Sequence, residues 1–373
     1  MVLERRRRPL VLVAVLVAVL VAVVASLVLG VFALVRPGGP SPPAATPAEV
    51  EFPGPATTAP PATVVDDAPA PGRGALVTVS VANVWNAPGV ARPVDEPSLT
   101  NPVDIRRWIG SMSHDDKLWL VDRLVTQALY GERVVVREVV DGWARVAVTG
   151  QPSSLDPEGY PGWMPAAQLR GAEAPATATS AVVITPSAQL LHFGQLGELL
   201  DVSYNTRLPV LNVGATQVTV ALPTGGRGVL ASVDVDVRPP GPRPTTPADL
   251  VAGARQFSGL PYLWAGTSGA GFDCSGFTAA VYGVHGIVLP RDADDQAGVG
   301  SAVDRARLQP GDLLFFSPNG EQRGITHVSM YVGNGMMIQA PATGRTVETV
   351  SVDTPAYARQ YWGARRYLAT APA

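Results

Sequence analysis

The 373-residue chain has a single cysteine, Cys274, and a single lysine, Lys117. One thiol excludes an intramolecular disulfide framework and a multi-cysteine zinc site. The near-absence of lysine among 28 basic residues reads as codon bias toward arginine and carries no chemistry. Charged residues make up only 16 % and aromatics 6 %, against 46 % hydrophobic residues. That balance permits a sizeable core and excludes disorder over the whole chain. A basic excess is missing beyond residue 36. Residues 1–36 carry a net +4 through Arg5, Arg6, Arg7, Arg8 and Arg36 against Glu4, and the remainder carries −7. The folded part therefore has no nucleic-acid footprint. No phosphate-binding loop, metal-ligand cluster or dinucleotide fingerprint occurs, so no cofactor is implied.

What is abundant lies at the start. The 27 residues from Pro9 to Val35 have no charge and are almost all Val, Ala and Leu. As a helix they would span about 40 Å, more than the roughly 30 Å hydrocarbon core requires. A signal-peptide apolar region is about 7–15 residues long. Residues 9–35 thus read as a transmembrane signal anchor, with residues 1–8 as a basic cytoplasmic tail and the rest outside the membrane. Secretion after signal cleavage is the alternative. Residues 36–74 are a Pro-rich tether, extended and unable to bury a core.

Three folded segments are expected after the tether. Residues 75–170 read as short strands, with Leu76–Val81 alternating, Val134–Val140 β-branched, and Trp143–Val148 following an Asp141-Gly142 turn. Trp119–Tyr130 fits strand or helix. Residues 179–237 repeat the β character at Ala181–Thr185, Leu199–Tyr204, Val218–Leu222 and Val229–Val237. A proline-rich linker at 238–245 leads to residues 246–369, where the character changes. Thr246-Pro247-Ala248-Asp249 has the order of a helix N-cap, a first-position proline and a first-turn acid. A second helix is expected from Cys274 to about Val284. Strands follow at Leu313–Ser317, His327–Val332, Met336–Ala340, Thr346–Val350 and Tyr361–Leu368. Helices followed by an antiparallel sheet give an α+β domain behind two small all-β barrels.

Cys274 is the first chemical candidate. It opens a predicted helix, where unpaired N–H groups and the helix dipole favour thiolate over thiol. A thiolate nucleophile needs an imidazole to pair with and to protonate the leaving amine. Among the four histidines, His285 reads as a helix C-terminal cap, whereas His327 opens a strand whose alternation puts His327, Ser329 and Tyr331 on one face. Gln339, 12 residues on, lies on the next strand beyond the Gly333-Asn334-Gly335 turn. Its side-chain oxygen can accept the imidazole N–H and hold the ring.

Five motifs occur in order: Pro261-Tyr262-Leu263-Trp264-Ala265-Gly266, Asp273-Cys274-Ser275-Gly276-Phe277, Leu289-Pro290-Arg291, Pro310-Gly311-Asp312-Leu313 and His327-Val328-Ser329-Met330-Tyr331-Val332-Gly333. Together, with a Cys274-to-His327 spacing of 53, they resemble the NlpC-type cysteine peptidases of bacterial cell walls. The resemblance implies a papain-like fold over 246–369. It implies hydrolysis of γ-D-glutamyl bonds in peptidoglycan stem peptides, with Cys274 as nucleophile, His327 as base and Gln339 as orienting residue. It also implies a Tyr262 hydroxyl near the oxyanion position, supported by Ser275, and places Asp273 and Arg291 among the substrate-binding residues. Two departures stand out. Gln339 occupies a place more often held by histidine, and Trp264-Ala265-Gly266 replaces a common Trp-Gly-Gly.

The segment 75–170 resembles bacterial SH3-like domains through Asp141-Gly142-Trp143-Ala144-Arg145-Val146 and Gly162-Trp163-Met164; residues 179–237 resemble them more weakly. Asn101-Pro102-Val103-Asp104, Gln127-Ala128-Leu129-Tyr130-Gly131-Glu132 and Gly159-Tyr160-Pro161-Gly162-Trp163 resemble the first SH3-like domain of the subgroup that cuts free muropeptides. That likeness implies that Glu132, Tyr160 and Asp292 enclose the free amine of L-Ala, with Ala293 where the family often has serine. Buried carboxylates around an ammonium would discriminate against an amide-linked N-terminus. The competing readings are a wall-binding protein with an inactive catalytic domain, and an amidase or acyltransferase on the same fold. The expected partners are peptidoglycan or muropeptides and, through residues 9–35, the membrane.

Overall fold

The computed structural model describes residues 68–171, 179–193, 199–318, 320 and 324–368, which belong to one compact unit. The expected membrane helix at 9–35 and the tether up to residue 67 lie outside the described residues. Among the described residues no helix is long and apolar enough to cross a membrane.

Two barrel-like sheets come first. The first contains β1 (Gly74–Val77), β2 (Val81–Trp85), β3 (Leu124–Leu129), β4 (Arg133–Val140), β5 (Trp143–Val148), β6 (Tyr160–Pro165) and β7 (Leu169–Gly171). The second contains β8 (Ser180–Val183), β9 (Ser187–Phe193), β10 (Leu199–Ser203), β11 (Arg207–Val213), β12 (Gln217–Ala221), β13 (Arg227–Ala231) and β14 (Val235–Arg238). Their strand orders, β3-β2-β6-β5-β4-β1-β7 and β10-β9-β13-β12-β11-β8-β14, are the same order shifted by seven. The β4–β5 hairpin turns through Asp141 and Gly142 at φ 48° and 79°. Both values are positive, as the turn favoured by right-twisted strands requires.

The barrels differ between their second and third strands. The second barrel connects β9 to β10 across residues 194–198, whereas the first inserts residues 86–123 between β2 and β3. This excursion contains α1 (Ile105–Ser111) and α2 (His114–Trp119). Ser113 and Asp116 close a capping box on α2. Buried Asp95 accepts from Trp108 Nε1 at 2.9 Å and pairs with Arg92 at 3.0 Å. These helices were not expected. The anticipated Leu76–Val81 strand is divided into β1 and β2, and Trp119–Tyr130 divides into a helix end and β3. In the second barrel β9 and β11 were missed, because Gln189 and His192 blur one and Pro209 interrupts the other. The expected Val229–Val237 strand breaks at a turn over Ser232–Asp234.

The third domain is mixed α/β. Its elements are α3 (Pro247–Arg255), the short hairpin β15 (Thr267–Ser268) and β16 (Gly271–Phe272), α4 (Cys274–Gly283), α5 (Ala293–Ala297), β17 (Ser301–Val303), β18 (Leu313–Phe316), β19 (His327–Gly333), β20 (Met336–Gln339), β21 (Glu348–Ser351), α6 (Pro355–Gln360) and β22 (Tyr361–Arg366). Thr246 and Asp249 form the capping box of α3. The sheet order is β17-β22-β18-β19-β20-β21. One face buries Leu313, Phe315, Val328, Met330 and Ile338 against Phe277, Val281 and the rest of α4. The other buries Leu314, Phe316 and Met337, with Tyr357 of α6 packed on them. Alternation along β19 thus sends Val328 and Met330 to the α4 side and Tyr331 to the other.

All three domains are joined by side chains. Leu263 and Ala265 share a core with Trp85, Ile105 and Trp108 of the first barrel and its excursion. Tyr130 of the first barrel is buried in the core of the second with Leu208 and Leu230. The linker between the second barrel and the third domain is pinned by Arg243. Its guanidinium pairs with Asp236 at 3.0 Å and donates to His285 Nδ1 at 3.1 Å. His285 is therefore a buried acceptor for Arg243 rather than a helix cap. Burial and then the Arg243 charge hold its imidazole down to about 4 from 6.5. Between those values the unfolded chain binds a proton that the folded chain does not. The contribution of His285 is thus intact above pH 6.5 and lost as the pH falls toward 4. The thermal midpoint should drop across that window, and drop less in His285→Gln; scanning calorimetry at stepped pH measures both.

Candidate active site

Cys274 is the first residue of α4, behind the N-cap Asp273, whose carboxylate accepts from Gly276 N at 2.7 Å. Gly276 is needed there for space: a Cβ would lie 2.1 Å from the carbonyl oxygen of Gly266. The backbone N–H groups of Ser275 and Val328 reach the Cys274 sulfur. The second of these sets the start of β19 against Cys274. Burial, then the Asp273 charge, pushes the Cys274 thiol up to about 12. The helix start alone therefore does not produce a stable thiolate. Burial also holds the His327 imidazole below its usual range. Burial thus disfavours each charge taken alone, while the two N–H groups on sulfur favour the thiolate.

His327 Nε2 lies 2.7 Å from Gln339 Oε1. Gln339 is fully buried, and its Nε2 donates to Glu348 Oε1 at 3.0 Å and to the Tyr357 hydroxyl at 2.5 Å. Tyr262 is buried within electrostatic reach of Cys274, and burial raises its hydroxyl far above the usual range. The Tyr262 backbone is held by its N–H on Arg345 O at 2.9 Å. Ala265, three residues on, has φ 60°. A side chain there is strained by about 1 kcal/mol or more, which gives the glycine of the common motif a physical reason.

Beside Cys274, Asp273 and Arg291 form an ion pair at 2.7 Å with side chains only 12 % and 2 % exposed. Arg291 also donates to Ser275 Oγ at 3.0 Å and, across the domain boundary, to Thr126 Oγ1 at 2.8 Å. Ser275 and Asp273 are thus bound to Arg291, and the three form the floor beside Cys274. The Tyr160 hydroxyl of the first barrel donates to Asp292 Oδ2 at 2.9 Å. Burial raises the Asp292 carboxyl, and the Arg291 charge opposes it.

Glu132 is not brought to that pair. Its carboxylate accepts from Leu129 N at 2.9 Å and Gln151 Nε2 at 3.3 Å, and lies near Arg207. It lines a cavity of about 350 Å³ along Gly276, Ala279, Ala280 and Gly283 of α4, which neither Tyr160 nor Asp292 lines. Thr126, Glu348 and Tyr357 were not singled out in the sequence, and Gln127 entered only as the first residue of a motif. Gln127 accepts from Thr267 N and Ser268 Oγ, both at 3.1 Å, and Trp264 Nε1 donates to Leu124 O at 2.9 Å. These contacts dock the motif loop on β3. No spacing rule marks them, because each partner lies about 140 residues away.

A thiol at a helix start, bonded by the first residues of a strand whose histidine is paired with an amide on the next strand, is the arrangement of cysteine peptidases. Residues 259–366 match the NlpC/P60 family, residues 122–169 the bacterial dipeptidyl-peptidase SH3 domain, and residues 183–237 the YKFC SH3b2 domain. The chain is 45 % identical over 302 residues to a gamma-D-glutamyl-L-lysine dipeptidyl-peptidase of Bacillus cereus, covering 79 % of this chain and 91 % of that protein. It is 37 % identical to a protein of the same name from Bacillus subtilis, covering 78 % and 97 %. The crystal structure of an NlpC/P60 family protein from Bacillus cereus superposes with a TM-score of 0.76 at 43 % identity, covering 79 % of this chain and all of that one. The chain belongs to the NlpC/P60 family of cysteine peptidases and carries two SH3-like domains ahead of the peptidase domain.

Removing the Arg291 guanidinium would leave Asp273 buried and unpaired beside the sulfur. Arg291→Ala should destabilise the protein by about 3–5 kcal/mol and slow alkylation of Cys274 at neutral pH, because an uncompensated anion opposes the thiolate. Denaturant melts and iodoacetamide rates across pH check the two effects.

Proposed function

We propose that the protein hydrolyses the γ-D-glutamyl–diamino acid bond of peptidoglycan stem peptides that carry a free N-terminal L-Ala. Cys274 attacks the γ-carbonyl as thiolate, and His327 takes the thiol proton and returns it to the leaving amine. Gln339 holds the imidazole, and the Tyr262 hydroxyl faces the developing oxyanion. Water then releases the acyl group from Cys274, with His327 as base. Residues 9–35 anchor the chain in the membrane and hold residues beyond 36 outside it. The relatives named gamma-D-glutamyl-L-lysine dipeptidyl-peptidase support the bond class.

The observation that carries the specificity is the Tyr160–Asp292 contact across the domain boundary, beside the Asp273–Arg291 pair. A carboxylate raised by burial gains from a neighbouring ammonium and has no use for an acylated nitrogen. Asp292, with Tyr160 aligning it, is the acceptor for the L-Ala amine.

Cys274→Ala should abolish hydrolysis of L-Ala-γ-D-Glu-diaminopimelate peptides while leaving the melting curve in place; near-normal turnover by the purified variant would overturn the peptidase assignment. Gln339→Ala should lower kcat more than it raises KM, since the held ring matters most in the transition state. Gln339→His should keep much of the activity, because a histidine there can accept from His327 and donate to Glu348.

Specificity is tested separately. The wild-type protein should prefer the free-amine peptide over its N-acetylated form in kcat/KM, and Asp292→Asn should erode that preference. Equal rates on both peptides would mean that the cleft does not read the amine and that the barrels act as wall-binding or spacing modules.

A further inference from the structure

We propose that Glu348 and Tyr357 set the orientation of the Gln339 amide, and through it the tautomer of His327, and that Glu348 supplies the negative charge that a neutral third residue lacks. The proposal rests on the Cys274–His327 chemistry above and concerns two residues outside it.

The argument is one of donors and acceptors. A carboxylate only accepts, so the Gln339 atom 3.0 Å from Glu348 Oε1 must be the amide nitrogen. The same nitrogen gives its second hydrogen to the Tyr357 oxygen at 2.5 Å. The amide oxygen therefore faces His327 and can only accept, so the ring nitrogen 2.7 Å away carries the hydrogen. That leaves Nδ1 as the bare nitrogen able to take the Cys274 proton. A flipped amide would set its oxygen against the Glu348 carboxylate and its N–H against His327 Nε2. It would place the ring hydrogen on Nδ1, where the ring cannot act as a base toward sulfur. Glu348 is itself held by the Arg345 guanidinium. Tyr357 adds a second restraint, its ring stacked on the imidazole with centroids 6.3 Å apart and planes at 26°.

The charge argument is independent of the flip. Asp273 at the start of α4, Arg345 before β21, Glu348 at the start of β21 and Tyr357 on α6 are titratable groups around His327. His114 of the first barrel approaches the same segment at Gly344, and Arg291 is neutralised by Asp273. Glu348 is the anion coupled to the imidazole through Gln339; Arg345 opposes it with the larger effect, and Asp273 acts in the same direction as Glu348. Glu348 and Tyr357 touch neither sulfur nor substrate and are positioning residues.

The test separates orientation from charge. Glu348→Gln can keep an acceptor toward Gln339 while losing the charge. The alkaline limb of its kcat/KM–pH profile, which reports loss of the imidazolium, should move down by about half a pH unit, with KM little changed. Gln339→Glu combined with Glu348→Gln returns an anion to the ring and should restore the limb. Glu348→Ala removes the acceptor as well. In the Cys274→Ala background, nitrogen NMR of the labelled imidazoles should show His327 as the Nε2–H tautomer with Glu348 present and as a tautomer mixture in Glu348→Ala. In active protein, Glu348→Ala should lower kcat on the order of tenfold. An unmoved alkaline limb in Glu348→Gln would remove the charge role, and an unchanged tautomer in Glu348→Ala would remove the orienting role. Either result, with Cys274→Ala inactive, overturns this proposal and leaves the peptidase assignment standing; activity in Cys274→Ala would overturn the assignment itself.

Discussion

The arrangement depends on burying a guanidinium beside Cys274. Arg291 is 2 % exposed in its side chain, and such a charge is tolerated only when its donors are satisfied. Asp273 takes two of them, Ser275 a third, and Thr126 of the first barrel a fourth. Three consequences meet at this residue. Asp273 can cap α4 without its charge standing unopposed next to Cys274. Ser275 is held at the first turn of the helix. The first barrel becomes part of the floor of the site, because without Thr126 the Nε hydrogen would be buried unpaired.

The two barrels share one strand order, yet they do different work. The first has 38 residues between β2 and β3, and its buried Trp108 and Ile105 form a joint core with Leu263 and Ala265 of the peptidase domain. The second touches the far side: Ser203 Oγ accepts from Gly269 N at 2.8 Å, and Arg207 donates to the Gly283 carbonyl at the end of α4. The helix that Cys274 opens is thus gripped at its start through the first barrel and at its end through the second. Glu132 belongs to this framework by its contacts, between Leu129, Gln151 and Arg207, and not to the Tyr160–Asp292 pair.

Much of the peptidase domain was legible because its signals are local. The order Thr246-Pro247-Ala248-Asp249 specifies a capped helix start, and α3 begins there with the capping box closed. The β4–β5 hairpin reads directly from Asp141-Gly142 between β-branched and alternating runs. His327 and Gln339 could be placed on adjoining strands because a glycine-rich turn separates them. The excursion helices were missed because they are six or seven residues long and owe their stability to tertiary packing. Glu348 and Tyr357 were missed for another reason. Their role exists only through Gln339, and no spacing in the chain announces a hydrogen bond to an amide already satisfied on its other side. The thiol shows the converse: its position at a helix start was legible, while burial, which opposes the thiolate, was not.

The bond from Trp264 to the carbonyl of Leu124 bears on the order in which the molecule is made. Chains emerge N-terminus first, and domains fold broadly in that sequence. Leu124 is made 140 residues ahead of Trp264. The first barrel can therefore stand as a finished template, with its docking edge exposed, until the peptidase motif arrives. Assembly of the cleft is therefore a docking step between segments made far apart in time rather than a step within one domain, and Cys274 gains its surroundings only when the later segment closes onto what was built first.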